Sequence, residues 1–159
     1  IYTLSLHDAL PISSLILEHW LLVQAERVGA ELRALGKKGA TITLKIRFQD
    51  FSLITRSKTL SRPTDITREI HETARRLLAG QKLAGKVRLI GLGVSNFRSG
   101  KDMLPLPTDA RREREEHLDR TMDRIRARFG TASIVRADTV HDMEHVVRDT
   151  LSLKNRKSG

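Results

Sequence analysis

From Thr41 to Phe48 apolar and polar residues alternate without interruption, so that in an extended chain Ile42, Leu44, Ile46 and Phe48 share one side and Thr41, Thr43, Lys45 and Arg47 the other. The first side suits a core. The second offers only hydroxyls and cations, a surface better matched to phosphate oxygens than to a small apolar ligand. Gln49-Asp50 falls at a turn, and Ser52 to Leu60 returns as the second strand of a hairpin. Ahead of the hairpin, Leu17, Leu21, Val28, Leu32 and Leu35 recur at the spacing of one helical face, and Gly36 in Gly36-Lys37-Lys38-Gly39 can end that helix in a left-handed cap.

Beyond the hairpin, Arg62-Pro63-Thr64-Asp65 reads as a loop that caps a second amphipathic helix, whose apolar face is Ile66, Ile70, Ala74, Leu77 and Leu78 and whose end is Gly80. Lys86 to Phe97 reads as a third strand with Ile90, Leu92 and Val94 inward. Gly91 and Gly93 fall on its other side, where they either admit another backbone or mark a bulge. Strict alternation would turn Arg88 inward, so it is expected at the strand's start or beside an irregularity. Residues 98–109 have the Ser, Gly and Pro content of a linker. From Ala110 to Phe129 comes a charged helix with a narrow apolar stripe of Leu118, Met122, Ile125 and Phe129, expected to pack on the domain. Residues 138–159 show little periodicity and are expected to be a disordered tail.

The order helix, strand, strand, helix, strand is most of a split β-α-β module, an α+β fold in which four antiparallel strands carry two helices on one face. The strand that should precede the first helix is expected to be missing. A three-stranded sheet of this kind would leave an unpaired edge open to aggregation.

Charge sharpens the reading of the polar face. The chain has 159 residues and a formal charge of +10, of which residues 14–107 hold +9, residues 108–159 hold +2 and residues 1–13 hold −1. A surplus concentrated on the hairpin-bearing segment points to a polyanion partner, since it raises both affinity and encounter rate for phosphate backbones. There is no cysteine, which excludes disulfides, thiolate metal sites and cysteine nucleophiles and fits a cytoplasmic protein. No apolar run approaches the roughly 20 residues that a membrane helix needs, and the opening IYTLSLHDALPIS lacks the basic and long apolar regions of a secretory signal.

Other candidate chemistry is thin. His141 and His145 stand one helical turn apart, but no third ligand is in evidence and no metal site is expected. His7-Asp8 and Ser13-Ser14 have no spacing that defines a triad. Asp50 and Asp65 are read as turn and cap residues rather than as catalytic carboxylates.

Taken together, LKIRFQDFSLITRSKTLSRPTDI and VRLIGLGVSNF resemble the little finger of Y-family translesion DNA polymerases, the bacterial DNA polymerase IV group in particular, over residues 15–97, and residues 117–137 look like the C-terminal extension of many bacterial members. The resemblance implies a DNA-binding domain at residues 14–97 and a helical extension at 110–137, bound to both backbones of a primer-template duplex without reading its bases. By position, the implied phosphate contacts are Lys38 at the turn, Lys45 and Arg47 on one strand of the hairpin, Arg56, Ser57, Lys58 and Thr59 on the other, and Arg88. The family's palm, with its metal-holding carboxylates, has no counterpart here, so a non-catalytic piece without a cofactor is expected; the parent enzyme would use magnesium in the palm.

Where the family often carries a sliding-clamp peptide of the form Gln-Leu-Ser-Leu-Phe, this chain has Met103-Leu104-Pro105-Leu106-Pro107. Both Leu104 and Leu106 remain, but Met103 replaces the glutamine and Pro107 the aromatic anchor, so a plain linker is expected in preference to clamp binding. Residues 1–13 do not resemble the family's first strand; they look like translated sequencing-adapter read-through and are expected to be non-native. Two other readings share the pattern: an RNA-binding split β-α-β module, and a fragment whose charged helix docks on a partner protein. Salt separates them, because phosphate gripping weakens steeply with ionic strength and apolar docking does not.

Overall fold

A computed structural model of the chain describes residues 2–5, 14–83, 85–99, 107 and 109–138. Among them the elements run β1 (Tyr2–Ser5), α1 (Ser14–Ala34), β2 (Lys37–Phe48), β3 (Leu53–Thr64), α2 (Thr67–Ala79), β4 (Val87–Ser99) and α3 (Ala110–Phe129). The strands form one antiparallel sheet in the order β1-β4-β2-β3, and α1 and α2 cover one face of it. This is the α+β, split β-α-β arrangement that the element order predicts.

The alternation in the hairpin decides which face is covered. Ile42, Leu44, Ile46 and Phe48 of β2 meet Val87, Ile90 and Leu92 of β4 under Leu17, Leu21, Ala25, Val28 and Leu32 of α1 and Ile70, Ala74 and Leu78 of α2. Val94 is only partly buried at the edge of this core. Removing these side chains from water is the main source of stability.

Three expectations are corrected at element ends. The strand before α1 is present: Tyr2–Ser5 pairs with Leu89–Leu92 of β4. Pairing asks only for extended backbone beside an open edge, which a family motif does not report. Leu35 is 62% exposed, because α1 stops at Ala34 and the chain turns at Gly36 with φ +62°. A Cβ added there would meet nothing within 4 Å, so Gly36→Ala tests backbone conformation alone. It should cost about 1 kcal/mol in urea denaturation without loss of the fold. Lastly, Asp65 does not cap α2. Thr64 Oγ1 accepts from the Ile66 N–H at 3.1 Å, and the first helical N–H, that of Thr67, donates 2.8 Å to Asp119 Oδ2 of α3.

That last bond explains how α3 is held. The expected stripe is mostly not the docking face: Leu118 and Phe129 are 43% and 68% exposed, while Met122 and Asp119 are buried. The face turned to the domain is charged, with carboxylates and arginines both paired across it. Arg33 of α1 donates to Asp123 through Nε (2.5 Å) and Nη2 (3.0 Å) and to Asp119 through Nη1 (3.1 Å), and the same Nη1 reaches the Asp65 carbonyl at 2.7 Å. Burial works against the Arg33 charge, but the bond to Asp123 and the fields of Asp119, Asp123 and Asp65 outweigh it and raise its pKa. Arg68 pairs with Glu115 at 2.9 Å, Arg112 with Glu69 at 2.6 Å and Arg126 with Glu26 at 3.3 Å. Among the described residues no helix is long and apolar enough to cross a membrane.

Candidate nucleic-acid interface

The strands β2, β3 and β4 contain no acidic residue. Among the described residues the carboxylates lie on helices and loops, and the sheet face opposite the helices is built mainly from hydroxyls, cations and bare backbone, with Leu53 and Leu89 at one end. Register shows which side chains share that face, since residues directly opposite in a ladder point the same way. Thr41, Thr43, Lys45 and Arg47 of β2 stand opposite Thr59, Ser57, Thr55 and Leu53 of β3, and opposite Ser95, Gly93, Gly91 and Leu89 of β4. The Thr41 and Thr59 hydroxyls lie 3.0 Å apart. Gly91 and Gly93 sit in unbroken register, so they do not mark a bulge; they leave the strip beside Lys45 and Thr43 without side chains.

The same register splits the predicted set. Lys45, Arg47, Ser57 and Thr59 lie on the open face. Arg56 and Lys58 stand opposite Leu44 and Ile42, on the helix side of the sheet, yet both are exposed because β3 is the edge strand. Arg56 Nη1 folds back to the Thr55 carbonyl at 2.9 Å. The edge strand thus offers cations to one side and hydroxyls to the other.

Arg88 is exposed at a register shift, where Phe48 faces Val87 but Arg47 faces Leu89; this is the irregularity its position requires. Lys38 departs from the set. Its ammonium is 3.1 Å from Glu116 Oε1 and 3.4 Å from Asp65 Oδ1, and it ties β2 to α3 and to the loop before α2. Among the described residues no carboxylate pairs with Lys45, Arg47, Arg56, Lys58 or Arg88.

The hairpin tip supplies what the sequence pattern does not announce. Asp50 Oδ1 accepts from the Ser52 hydroxyl at 2.6 Å and from its N–H at 2.9 Å, and these bonds hold the Asp50 carboxyl below its ordinary pKa. Phe51 is thereby held outward at φ +66°, 63% exposed, with the Arg88 guanidinium 4.7 Å from its ring centroid. At the other end of β2, Lys37 lies 6.0 Å from the centroid of the exposed Phe97 ring. Thr55 and the Phe51–Arg88 pair could have been found only from strand register and turn geometry, because neither has a periodic signal. Among the described residues no three His, Asp or Glu side chains are grouped to hold a metal. Met103, Leu104, Leu106, His141 and His145 lie outside the described residues.

Residues 9–106 match the model of the impB/mucB/samB family C-terminal domain. The chain is similar to DNA polymerase IV of Dehalococcoides mccartyi, 38% identical over 112 residues, which are 69% of this chain and 28% of that protein. It is also similar to DNA polymerase IV of Streptomyces coelicolor, 51% identical over 73 residues, covering 46% of this chain and 15% of that one. Among solved structures it is similar to the little finger domain of PolIV in complex with a beta-clamp processivity factor, at 19% identity and a TM-score of 0.45, covering 69% of this chain and 95% of that one. The chain thus spans less than a third of the length of these curated relatives.

Proposed function

Because the chain belongs to the impB/mucB/samB family C-terminal domain, the little finger of DNA polymerase IV-type enzymes, we propose that its open sheet face and the β3 edge grip the phosphate backbones of a primer-template duplex without reading sequence. The observation that carries this is the exclusion of every acidic residue from the three long strands, with Lys45, Arg47, Arg56, Lys58 and Arg88 left without carboxylate partners among the described residues. Hydroxyls of Thr41, Thr43, Thr55, Ser57 and Thr59 between the cations supply further donors to phosphate. Nucleotide transfer belongs to the parts of the parent polymerase beyond this domain, and the piece by itself is a non-catalytic DNA holder. Its working place would be the cytoplasm.

The other readings fit less well. An RNA module of this plan stacks bases on aromatic rings of the sheet, whereas Phe48 is 7% exposed in the core, β2 and β3 present no aromatic ring on the open face, and the exposed ring of β4, Phe97, lies beside Lys37 at the far end of the strand. The face of α3 that carries Arg112, Glu115, Asp119 and Asp123 is already occupied by the domain itself, and of its apolar stripe Leu118 and Phe129 stay exposed, too few to carry the binding that the basic sheet supports.

Fluorescence anisotropy with a labelled primer-template duplex tests the proposal. Five cations at phosphates should give a slope of log affinity against log salt of about −4.5, the same for unrelated sequences. Binding that ignores salt, or prefers one sequence or an RNA hairpin, would overturn it, as would no binding by a chain shown to be folded.

A further inference from the structure

The hairpin tip presents an aromatic ring where fold stability has no use for one. Phe51 is 63% exposed and its neighbour Leu53 50% exposed, so the apolar surface there is left in water. Its backbone is also in the left-handed region, at φ +66°, which is uncommon for a bulky side chain and costs conformational energy. The turn holds this geometry from several directions. Asp50 bonds Ser52, the Phe51 N–H donates 3.0 Å to the Phe48 carbonyl, the Phe48 N–H donates 3.0 Å to the Ser52 carbonyl, and the Gln49 N–H donates 2.9 Å to the Lys86 carbonyl. That last bond ties the tip to the start of β4, two residues before Arg88.

The surroundings select the ligand. Arg88 stacks at 4.7 Å from the ring centroid, Arg47 stands opposite both Leu53 and Leu89, and Lys86 is exposed. A phosphate would be drawn to the cations but repelled by the electron-rich face of the ring. A paired base has its faces buried in the duplex stack. An unpaired base attached to a phosphate backbone satisfies both parts of the site at once, stacking on the ring while its phosphates meet the arginines.

We propose that Phe51, backed by Arg88, is a stacking platform for an unpaired nucleobase of the DNA strand that continues beyond the gripped duplex. The platform accepts any base, since every base has a π face. The inference rests on the backbone-gripping reading above and adds to it a site specific for single-stranded continuation.

The test compares a blunt duplex with the same duplex carrying a single-stranded overhang, and with one whose overhang consists of abasic sites, all bound to the full chain. The unaltered chain should bind the base-bearing overhang at least about five-fold more tightly than the other two. Phe51→Leu, which keeps apolar bulk but has no π face, should lose that advantage and bind the blunt duplex as before; Phe51→Tyr should retain it. Equal binding of all three DNAs by the unaltered chain overturns the platform while leaving backbone gripping in place. So does a Phe51→Leu variant that keeps the advantage, or an abasic overhang bound as tightly as a normal one. Loss of binding to every DNA in a folded sample overturns the gripping reading and this one with it.

Discussion

Replacing Lys45 and Arg47 together by glutamate is expected to weaken binding to a primer-template duplex by more than about a hundred-fold at about 0.1 M salt, since withdrawing a cation from a phosphate already costs close to a factor of ten there and the new carboxylates add repulsion. The salt slope should become shallower by about 1.8, equally for unrelated DNA sequences. Lys45 stands opposite the bare Gly91 and Arg47 opposite Leu89, and no other cation of β2 lies on that part of the open face to replace them. Lys45 and Arg47 have hydroxyl, glycine or leucine neighbours across the ladder and no carboxylate partner among the described residues, so the fold should survive the change. Thermal denaturation by circular dichroism checks that point, and a shift of no more than a few degrees is expected. The neutral pair Lys45→Gln, Arg47→Gln should change the slope by the same amount with a smaller loss of affinity. A slope left unchanged by either pair would move the DNA off this face.

The largest stability effect is expected at Asp119→Ala, which should cost about 3 kcal/mol or more, the range for breaking a buried charged cluster by removing one partner. Asp119 is 2% exposed and accepts from three elements: the Thr67 N–H at the start of α2, Arg33 of α1 at 3.1 Å, and Arg136 beyond α3 at 2.5 Å. Alanine would leave the first turn of α2 without its acceptor and two half-buried guanidiniums with fewer partners. Asp119→Asn keeps an acceptor for Thr67 and should lose less. Equilibrium denaturation in urea measures both. If alanine costs under about 1 kcal/mol, the carboxylate is an ordinary surface group and α3 is an appendage.

What could be read in advance follows from which forces leave a periodic trace. Ile42, Leu44, Ile46 and Phe48 are buried as their alternation requires, and the apolar rows of α1 and α2 cover them, because burial of apolar surface imposes a period on sequence. Arg88 violates that period and lies at a bulge. The docking face of α3 escapes such reading because its period is written in charge: Glu115, Asp119, Met122, Asp123 and Arg126 recur at helical spacing, but their partners lie on α1 and α2, far along the chain. Lys38 is misplaced for the same reason, since a cation near a turn looks alike whether it faces a phosphate or Glu116. The division of Arg56 and Lys58 from Ser57 and Thr59 depends on hairpin register, and β3 has too few apolar residues to declare its own facing.

That β2, β3 and β4 carry no carboxylate while the helices carry charges of both signs has a kinetic consequence. With positive charge on one layer and balanced charge on the other, the molecule is an electric dipole as well as a cation. At a separation of about a Debye length, about 10 Å at 0.1 M salt, the field of a polyanion exerts a torque on it before any atoms touch. That torque turns the sheet forward and the helices away, so a larger fraction of collisions arrives already oriented. Association should accordingly be faster than net charge alone would produce, and lowering the ionic strength should raise the on-rate more steeply than for a protein of equal charge spread evenly over its surface.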